Sequence, residues 1–379
     1  MKDDQVLQLK EWFLLQRRDL PWRENASPYA VWVSEVMLQQ TQVAVVIPYF
    51  MRWMERFPSV AALARAPVED VLKVWEGLGY YARARNLHEG ARYVVQHYNG
   101  ELPSTDAELS KIKGLGPYTV GAILNFAFRK KATAVDGNVL RVLARYYCLD
   151  DDICKPKTVK KIQALTYALL PDQEPWIVSE ALIELGATIC SRTARCQECP
   201  LRATCKGFLS GKSGELPVKS AKTAATPLFR SVAVVICKGH VLVRKGEKGK
   251  IMADLFEFPY FEMDHAEESP KRQQEMATVK LGMPLKWQRT LPEVKHSFTR
   301  YRALLIPQLY EAKRLQAVNG YEWHPFGSLQ QLPFSSGHRR ILDEIVTGLV
   351  SNSGIFRARS LPHRVSNIYN RRCGHYRQR

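Results

Sequence analysis

Residues 108–128 read ELSKIKGLGPYTVGAILNFAF. Apolar positions recur at helical spacing on both sides of Lys113-Gly114-Leu115-Gly116-Pro117, which makes the stretch a helix, a tight turn and a second helix. Two glycines around one apolar residue let the backbone turn sharply. They expose successive N–H groups beside a helix N-terminus, where the dipole favours an anion. Most G-x-G turns merely join helices, so the rest of the chain has to decide between the two readings. Its 379 residues hold 55 Lys+Arg against 37 Asp+Glu, a balance of +18. Residues 351–379 contribute seven arginines and no acid, and setting them aside still leaves +11. A surplus of that size repels itself unless a polyanion neutralises it, so the turn is expected to hold phosphates of a nucleic acid.

Outward from this stretch the helical pattern runs from residue 3 to about 208, broken at Pro58, Pro67, Gly100, Pro103 and Pro171. About ten helices are predicted. Ser27-Pro28, Ser59 and Ser104 stand where capping residues belong. Residues 209–228 are small, polar and proline-punctuated, and read as a linker. From 229 the period becomes two: RSVAVVI and VLVRK flank Cys237-Lys238-Gly239-His240 as a β-hairpin. Strand-like runs follow at 255–262, 285–291 and 296–310, and helical ones at about 266–281 and 336–350. An all-α domain over 1–208, an α+β domain over 229–350 and a basic, disordered tail over 351–379 are therefore expected. No stretch approaches the roughly 18 uncharged apolar residues of a membrane helix. The acidic MKDDQ start is no secretory leader, so a cytoplasmic protein is expected.

Cys190, Cys196, Cys199 and Cys205 fall within one short loop, spaced C-x5-C-x2-C-x5-C. Zinc sites usually pair two C-x2-C knuckles, and here there is one; a compact loop supplying four thiolates suits a [4Fe-4S] cluster better. Structural zinc is the alternative. Arg192, Arg195, Arg202 and Lys206 share the loop, so a group pinned there would present cations to phosphates.

Two carboxylates stand in contrasting surroundings. Glu35 lies in PYAVWVSEVMLQQTQV among Val31, Trp32, Val36 and Leu38, where burial disfavours its charged form and raises its pKa towards that of a general acid. Asp136 immediately precedes the apolar-periodic GNVLRVLARYY, where it caps a helix and is held anionic. An edge charge and an ordinary N-cap are the plainer readings of the same residues. Taken together, one neutral and one anionic carboxyl suit cleavage of a glycosidic bond, with an acid on the leaving group and an anion beside an oxocarbenium ion.

These features together resemble the helix-hairpin-helix DNA glycosylases with an iron–sulfur cluster, and specifically the adenine DNA glycosylases of the MutY family. The resemblance is carried by LPWR at 20–23, SEVMLQQTQV at 34–43, GLGYYARARNL at 77–87, GLGPYTVGA at 114–122 and VDGNVLRVL at 135–143, with the cysteine loop. Tyr118 stands where the sister endonuclease III family has a catalytic lysine. MADLFEFP, KHSFTRY and LPFSSGHRRIL resemble, more weakly, the family's Nudix-like domain, which reads the damaged guanine. The resemblance implies a monofunctional enzyme that flips adenine out of a pair with 8-oxoguanine or guanine in double-stranded DNA; nothing suggests an oligomer, so a nucleoid-associated monomer is expected. It implies Glu35 as acid, Asp136 as stabiliser of the sugar cation, and Tyr118 and Asn138 in support. Arg18, Leu20, Trp22, Arg23 and Glu184 match its adenine pocket, Gln40 and Tyr80 its wedges, and Lys113, Gly114, Leu115 and Gly116 its backbone grip.

Four departures stand out. The first cysteine gap is five residues rather than six. Leu140 replaces a lysine that some members use to trap product. The family's Phe-Ser-His reads Phe298-Thr299-Arg300, which puts the selectivity for the damaged guanine in question. The arginine-rich tail has no counterpart. The helix ESPKRQQEMATVKLG also lacks the carboxylate spacing of a Nudix metal site, so nucleotide hydrolysis is not expected. The competing expectations are an endonuclease III-like glycosylase/lyase and a non-enzymatic iron–sulfur sensor.

Overall fold

The computed structural model describes residues 1–220, 224–266 and 268–351. The first domain is helical throughout, from Asp3–Gln16 to Lys206–Leu209. Several of its helices are single turns, so there are more segments than the hydrophobic period alone predicts. Two cores divide it. One gathers around the fully buried Trp32, Trp53 and Trp75, and the other around Leu9, Phe13, Val139, Leu143 and Leu182.

The Pro28–Leu38 helix runs through the first core. Ser27 caps it by accepting the Ala30 N–H at 3.2 Å, Pro28 pre-sets its first turn, and Tyr29 to Met37 are all buried. A helix apolar on every side has to be central. Its C-terminal carbonyls have no glycine cap. Arg83 serves instead, donating Nη1 to Val36 O, Met37 O and Gln39 O at 2.9, 2.9 and 2.5 Å.

The second domain is an α+β unit of eight strands: β1 (Thr226–Cys237), β2 (His240–Lys245), β3 (Phe256–Glu257), β4 (Tyr260–Met263), β5 (Leu285–Thr290), β6 (Val294–Phe298), β7 (Tyr301–Ala312) and β8 (Glu322–Pro325). The order β3-β2-β1-β7-β5 places β1 parallel to β7 at the centre, and the helices Pro270–Leu281 and Ser336–Ser351 complete the unit. The two faces of the β1 alternation feed separate cores: Val232 and Val234 pack with Ile341 and Leu342, whereas Ala233 and Val235 pack with Ala277 and Leu281.

Three expectations need correction. Thr105, not Ser104, caps the short Asp106–Leu109 helix, because its hydroxyl is the one that reaches the Glu108 N–H. The linker is not free in its first half: Leu216 is buried and accepts from Arg145 Nε at 2.8 Å, and Val218 O accepts from Ile153 N at 3.1 Å. The run at 296–310 is two strands rather than one. Thr299-Arg300 turns it back on itself, pairing Phe298 with Tyr301. The tail and Cys373 lie outside the described residues. Within those residues no helix is long and apolar enough to cross a membrane.

Candidate active site

Between the two helical cores lies a cavity of about 620 Å³, a size suited to a small ligand or an extruded nucleoside. Arg18, Leu20, Trp22, Arg23, Glu35, Gln40, Tyr118, Asp136, Asn138 and Glu184, drawn from five separate stretches of chain, all line it. Phe13 and Ile177 come from one core and Trp22 and Phe126 from the other, so the cavity follows their seam. Trp22 is both wall and core, meeting Phe50 edge-on at 5.4 Å.

Glu35 is 7% exposed and accepts the Tyr118 hydroxyl on Oε2 at 2.6 Å. Burial raises its pKa to about 7, outweighing that hydrogen bond, and the nearby Asp136 and Glu180 push the same way. Burial beside the Glu35 and Asp136 carboxylates in turn holds the Tyr118 phenol well above its ordinary range, so it remains a donor.

Asp136 is the N-cap of the Gly137–Tyr147 helix, as expected. Its Oδ1 accepts Asn138 N and Val139 N, both at 2.9 Å, and its Oδ2 accepts Asn138 Nδ2 at 2.6 Å. Burial raises its pKa above the ordinary aspartate value even against those three donors. Asn138 is fixed from behind by Arg141, whose Nη2 donates to Asn138 Oδ1 at 2.7 Å and to Gly186 O at 2.8 Å, and whose Nε reaches Cys190 O at 2.8 Å. The spacing between helices is set at Gly186, where an added Cβ would stand 2.6 Å from Asn138 Cβ. Gly186→Ala should therefore displace Asn138 and with it Asp136. We expect stability to fall by about 1–3 kcal/mol in thermal unfolding, and single-turnover base release to fall at least about tenfold.

Glu184 is engaged on both oxygens. Arg18 Nε at 2.5 Å and the Arg18 backbone N–H at 3.3 Å share Oε1, while Arg18 Nη2 at 3.1 Å and Arg23 Nη2 at 2.9 Å share Oε2. Burial opposes ionisation, but the two arginines win and hold its pKa below the ordinary value. Glu180, one turn earlier and not singled out by the sequence, takes a single bond, from Arg23 Nε at 2.6 Å. It keeps more acceptor capacity towards the cavity. The helix repeat puts both carboxylates on one face, and only the arginine partners tell them apart.

Tyr80 lies outside this cavity. It stands 50% exposed in a second cleft of about 780 Å³ between the domains, which Gln40 shares, with Lys113, Lys248 and Lys250 on its walls. Gln40 and Tyr80 both hold left-handed backbone, with φ of 58° and 49°. Arg83 also joins their loops: beyond Gln39 O it reaches Gly79 O at 3.1 Å. Nothing in GLGYYARARNL marked that role. Thr299 lines the same cleft from the second domain. It is β-branched yet sits at φ 49°, a strained placement of the kind that clusters at functional sites. Phe298 packs on His296 and Tyr301 at 5.3 and 5.6 Å, and Arg300 donates to Tyr301 Oη at 3.0 Å. In the glycine hairpin, Gly114 has φ 87° and Lys113 pairs with Glu89. The Leu115 N–H is spent on Ile112 O at 3.2 Å, whereas the Gly114 and Gly116 amides have no such partner among the described residues.

Cys190, Cys196, Cys199 and Cys205 face one small cavity with Arg145, which donates to Cys190 Sγ at 3.4 Å and to Ser191 O at 2.6 Å. Among the described residues no group of three or more such side chains is arranged to hold a single metal ion. Four thiols around a shared hollow fit a group with bulk of its own better than one zinc ion.

Residues 33–167 match the HhH-GPD superfamily of base excision DNA repair proteins, and residues 231–344 match the NUDIX domain. The chain is 38% identical to the adenine DNA glycosylase of Buchnera aphidicola subsp. Baizongia pistaciae over 248 residues, 65% of this chain and 70% of that one. It is 36% identical to the adenine DNA glycosylase of Homo sapiens over 286 residues, 73% of this chain but only 52% of the human one. Among solved structures, a thermostable thymine-DNA glycosylase is 26% identical and matches 54% of this chain and 95% of its own, with a TM-score of 0.49.

Proposed function

Because the chain belongs to the adenine DNA glycosylase family, whose members hydrolyse an N-glycosyl bond in base excision repair, we propose that its substrate is adenine opposite 8-oxoguanine or guanine in duplex DNA. The observation that carries this reading is the buried Glu35, bonded by Tyr118, sharing one cavity of about 620 Å³ with the helix-capping Asp136. The adenine enters the cavity, and Glu35, about half protonated at neutral pH, gives its proton to a ring nitrogen. The electrons of the C1′–N bond leave with the base. Asp136 meets the positive charge left on the sugar, with Asn138 fixing its orientation. Water then adds at C1′, and the proton it sheds returns to Glu35. Trp22 and Leu20 supply apolar walls, Arg18 and Arg23 are held by Glu184, and Glu180 retains an acceptor for the exocyclic amine.

We read the abasic site as the product; in support, among the described residues no lysine lines the cavity to form a Schiff base, and Leu140 is apolar there. Gln40 and Tyr80 take up the space in the stack. Phe298, Thr299 and Arg300 face the opposite base from across the cleft. Lys113 and the Gly114 and Gly116 amides hold the backbone. The four cysteines hold a [4Fe-4S] cluster whose contribution is to fix the loop between Cys190 and Cys205. Burial, with the neighbouring Cys190, Cys205 and Cys196, pushes the Cys199 thiol up to about 12, and ligation would deprotonate it. We read the enzyme as a monomer of the cytoplasm that works on the nucleoid.

Duplexes carrying one A opposite 8-oxoguanine, G or T, incubated with the protein and then treated with alkali, test this. Scission at the first, less at the second and none at the third is the expected order. Equal scission at the first two would leave the adenine reading standing and remove the reader role of Phe298-Thr299-Arg300. Scission without alkali, together with borohydride trapping, would replace the monofunctional reading with a lyase.

A further inference from the structure

The segment that carries Tyr80 is fastened to the second domain on both sides. Glu76, just before Gly77-Leu78-Gly79-Tyr80, is largely buried. Its Oε1 accepts the backbone N–H of Phe334 at 2.8 Å and Arg339 Nε at 2.7 Å. Its Oε2 is held by Lys73 Nζ at 2.7 Å. Tyr81, just after the segment, accepts the Gly77 N–H at 3.3 Å and donates to Phe334 O at 3.3 Å. One residue of the second domain, Phe334, is thus gripped at its N–H by the residue before the Tyr80 loop and at its carbonyl by the residue after it. Phe334 cannot follow that loop freely. Its ring is fully buried in the second domain's core, 5.5 Å from Phe258. Arg85 adds a further tie, to Ala253 O at 2.8 Å.

A hydrogen-bonded charge buried between two domains transmits position rather than merely adding stability. The geometry points to Glu76 as a positioning residue that couples the two halves of the site. Through Phe334 it registers the Tyr80 wedge to the domain bearing Phe298-Thr299-Arg300, so that engagement of the base opposite adenine sets the wedge. This deepens the proposed function and rests on its assignment of wedge and reader. No local pattern marks it, since Glu76 reads as an ordinary charge at the end of the Val68–Trp75 helix.

The test uses the full chain with Glu76→Ala. Arg339→Met is the second variant, made from the far side of the joint in case the first misfolds. Single-turnover excision is measured opposite 8-oxoguanine and opposite guanine. In parallel, the fluorescence of 2-aminopurine beside the target adenine reports wedge insertion. We expect the ratio of the two excision rates to fall between about 5- and 30-fold, through loss of the faster rate. Excision opposite guanine should stay within about twofold of the original, and the 2-aminopurine rise should weaken in both variants. Rates that fall together, or a ratio and fluorescence that do not change, would make Glu76 structural only and overturn the inference. If the unaltered protein itself shows no preference for the opposite base, the reader assignment fails. The fluorescence change then still decides whether Glu76 places the wedge.

Discussion

Glu35→Gln should lower single-turnover adenine release by about 10²–10⁴-fold while leaving DNA affinity within a few-fold, and the same variant should be more stable than the parent above pH 7. Both effects come from one cause. In the fold, burial lifts the Glu35 pKa from 4.5 to about 7, so at neutral pH a proton is available to leave with the base. Glutamine keeps the shape and can still accept the Tyr118 hydroxyl, but has no proton of that acidity to give. For stability, the unfolded chain ionises this residue through its ordinary value and the folded chain only through about 7. Between those limits the folded state holds the extra proton, so stability declines as pH rises, and the full penalty of ~3 kcal/mol applies above about 7. Glutamine carries no such penalty. Thermal unfolding at pH 8 should therefore favour the variant by several degrees, and at pH 5 most of the gap should close. An inactive variant with an unchanged unfolding temperature at pH 8 would mean that Glu35 is not held neutral by burial. A stabilised variant with full activity would mean that it is not the acid.

Local features of the sequence were enough to predict that Glu35 is buried and that Asp136 caps a helix. An acid surrounded by Val31, Trp32, Val36 and Leu38 has to be buried if the helix is central, and an aspartate before an apolar-periodic helix is a cap in any fold. The four-cysteine spacing was equally local, as was the change of period at residue 229. What was not legible depends on pairing across the chain. Glu180 and Glu184 lie on one helical face, and only Arg18 and Arg23, some 160 positions earlier, decide which keeps a free oxygen. Arg83 caps a helix that ends more than forty residues before it, a service that leaves no trace in either segment. The tethering of the linker escaped reading because its anchors are scattered: the buried Leu216, the Leu216 and Val218 carbonyls, and Ser220 on Asp152, which composition does not register. The Thr299-Arg300 turn was hidden because neither residue is a customary turn former, and Thr299 holds a left-handed backbone that a β-branched residue rarely adopts.

Asp136→Asn separates the two tasks that this residue combines. As a cap, asparagine is nearly the equal of aspartate, since its carbonyl oxygen can still accept Asn138 N and Val139 N. Folding should change little, with one local cost: its amide cannot accept the Asn138 Nδ2 bond, so one of the two side chains has to turn away. As an anion beside a developing sugar cation it has no substitute. We expect base release to fall by about 10²–10³-fold with unfolding temperature almost unchanged. The pH profile sharpens the test. In the parent, release should need Asp136 ionised and Glu35 protonated, so the rate falls on the acid side as Asp136 gains a proton and on the alkaline side above about 7 as Glu35 loses one. Burial lifts Asp136 as well, which places the acid limb above the ordinary aspartate value and narrows the working window. In the asparagine variant the acid limb should disappear from the residual rate and the alkaline limb remain. In Glu35→Gln the reverse should hold. If both limbs survive in Asp136→Asn, its carboxylate is a helix cap and nothing more, and the sugar cation must find its counter-charge elsewhere in the cavity, with Glu180 one alternative on its wall.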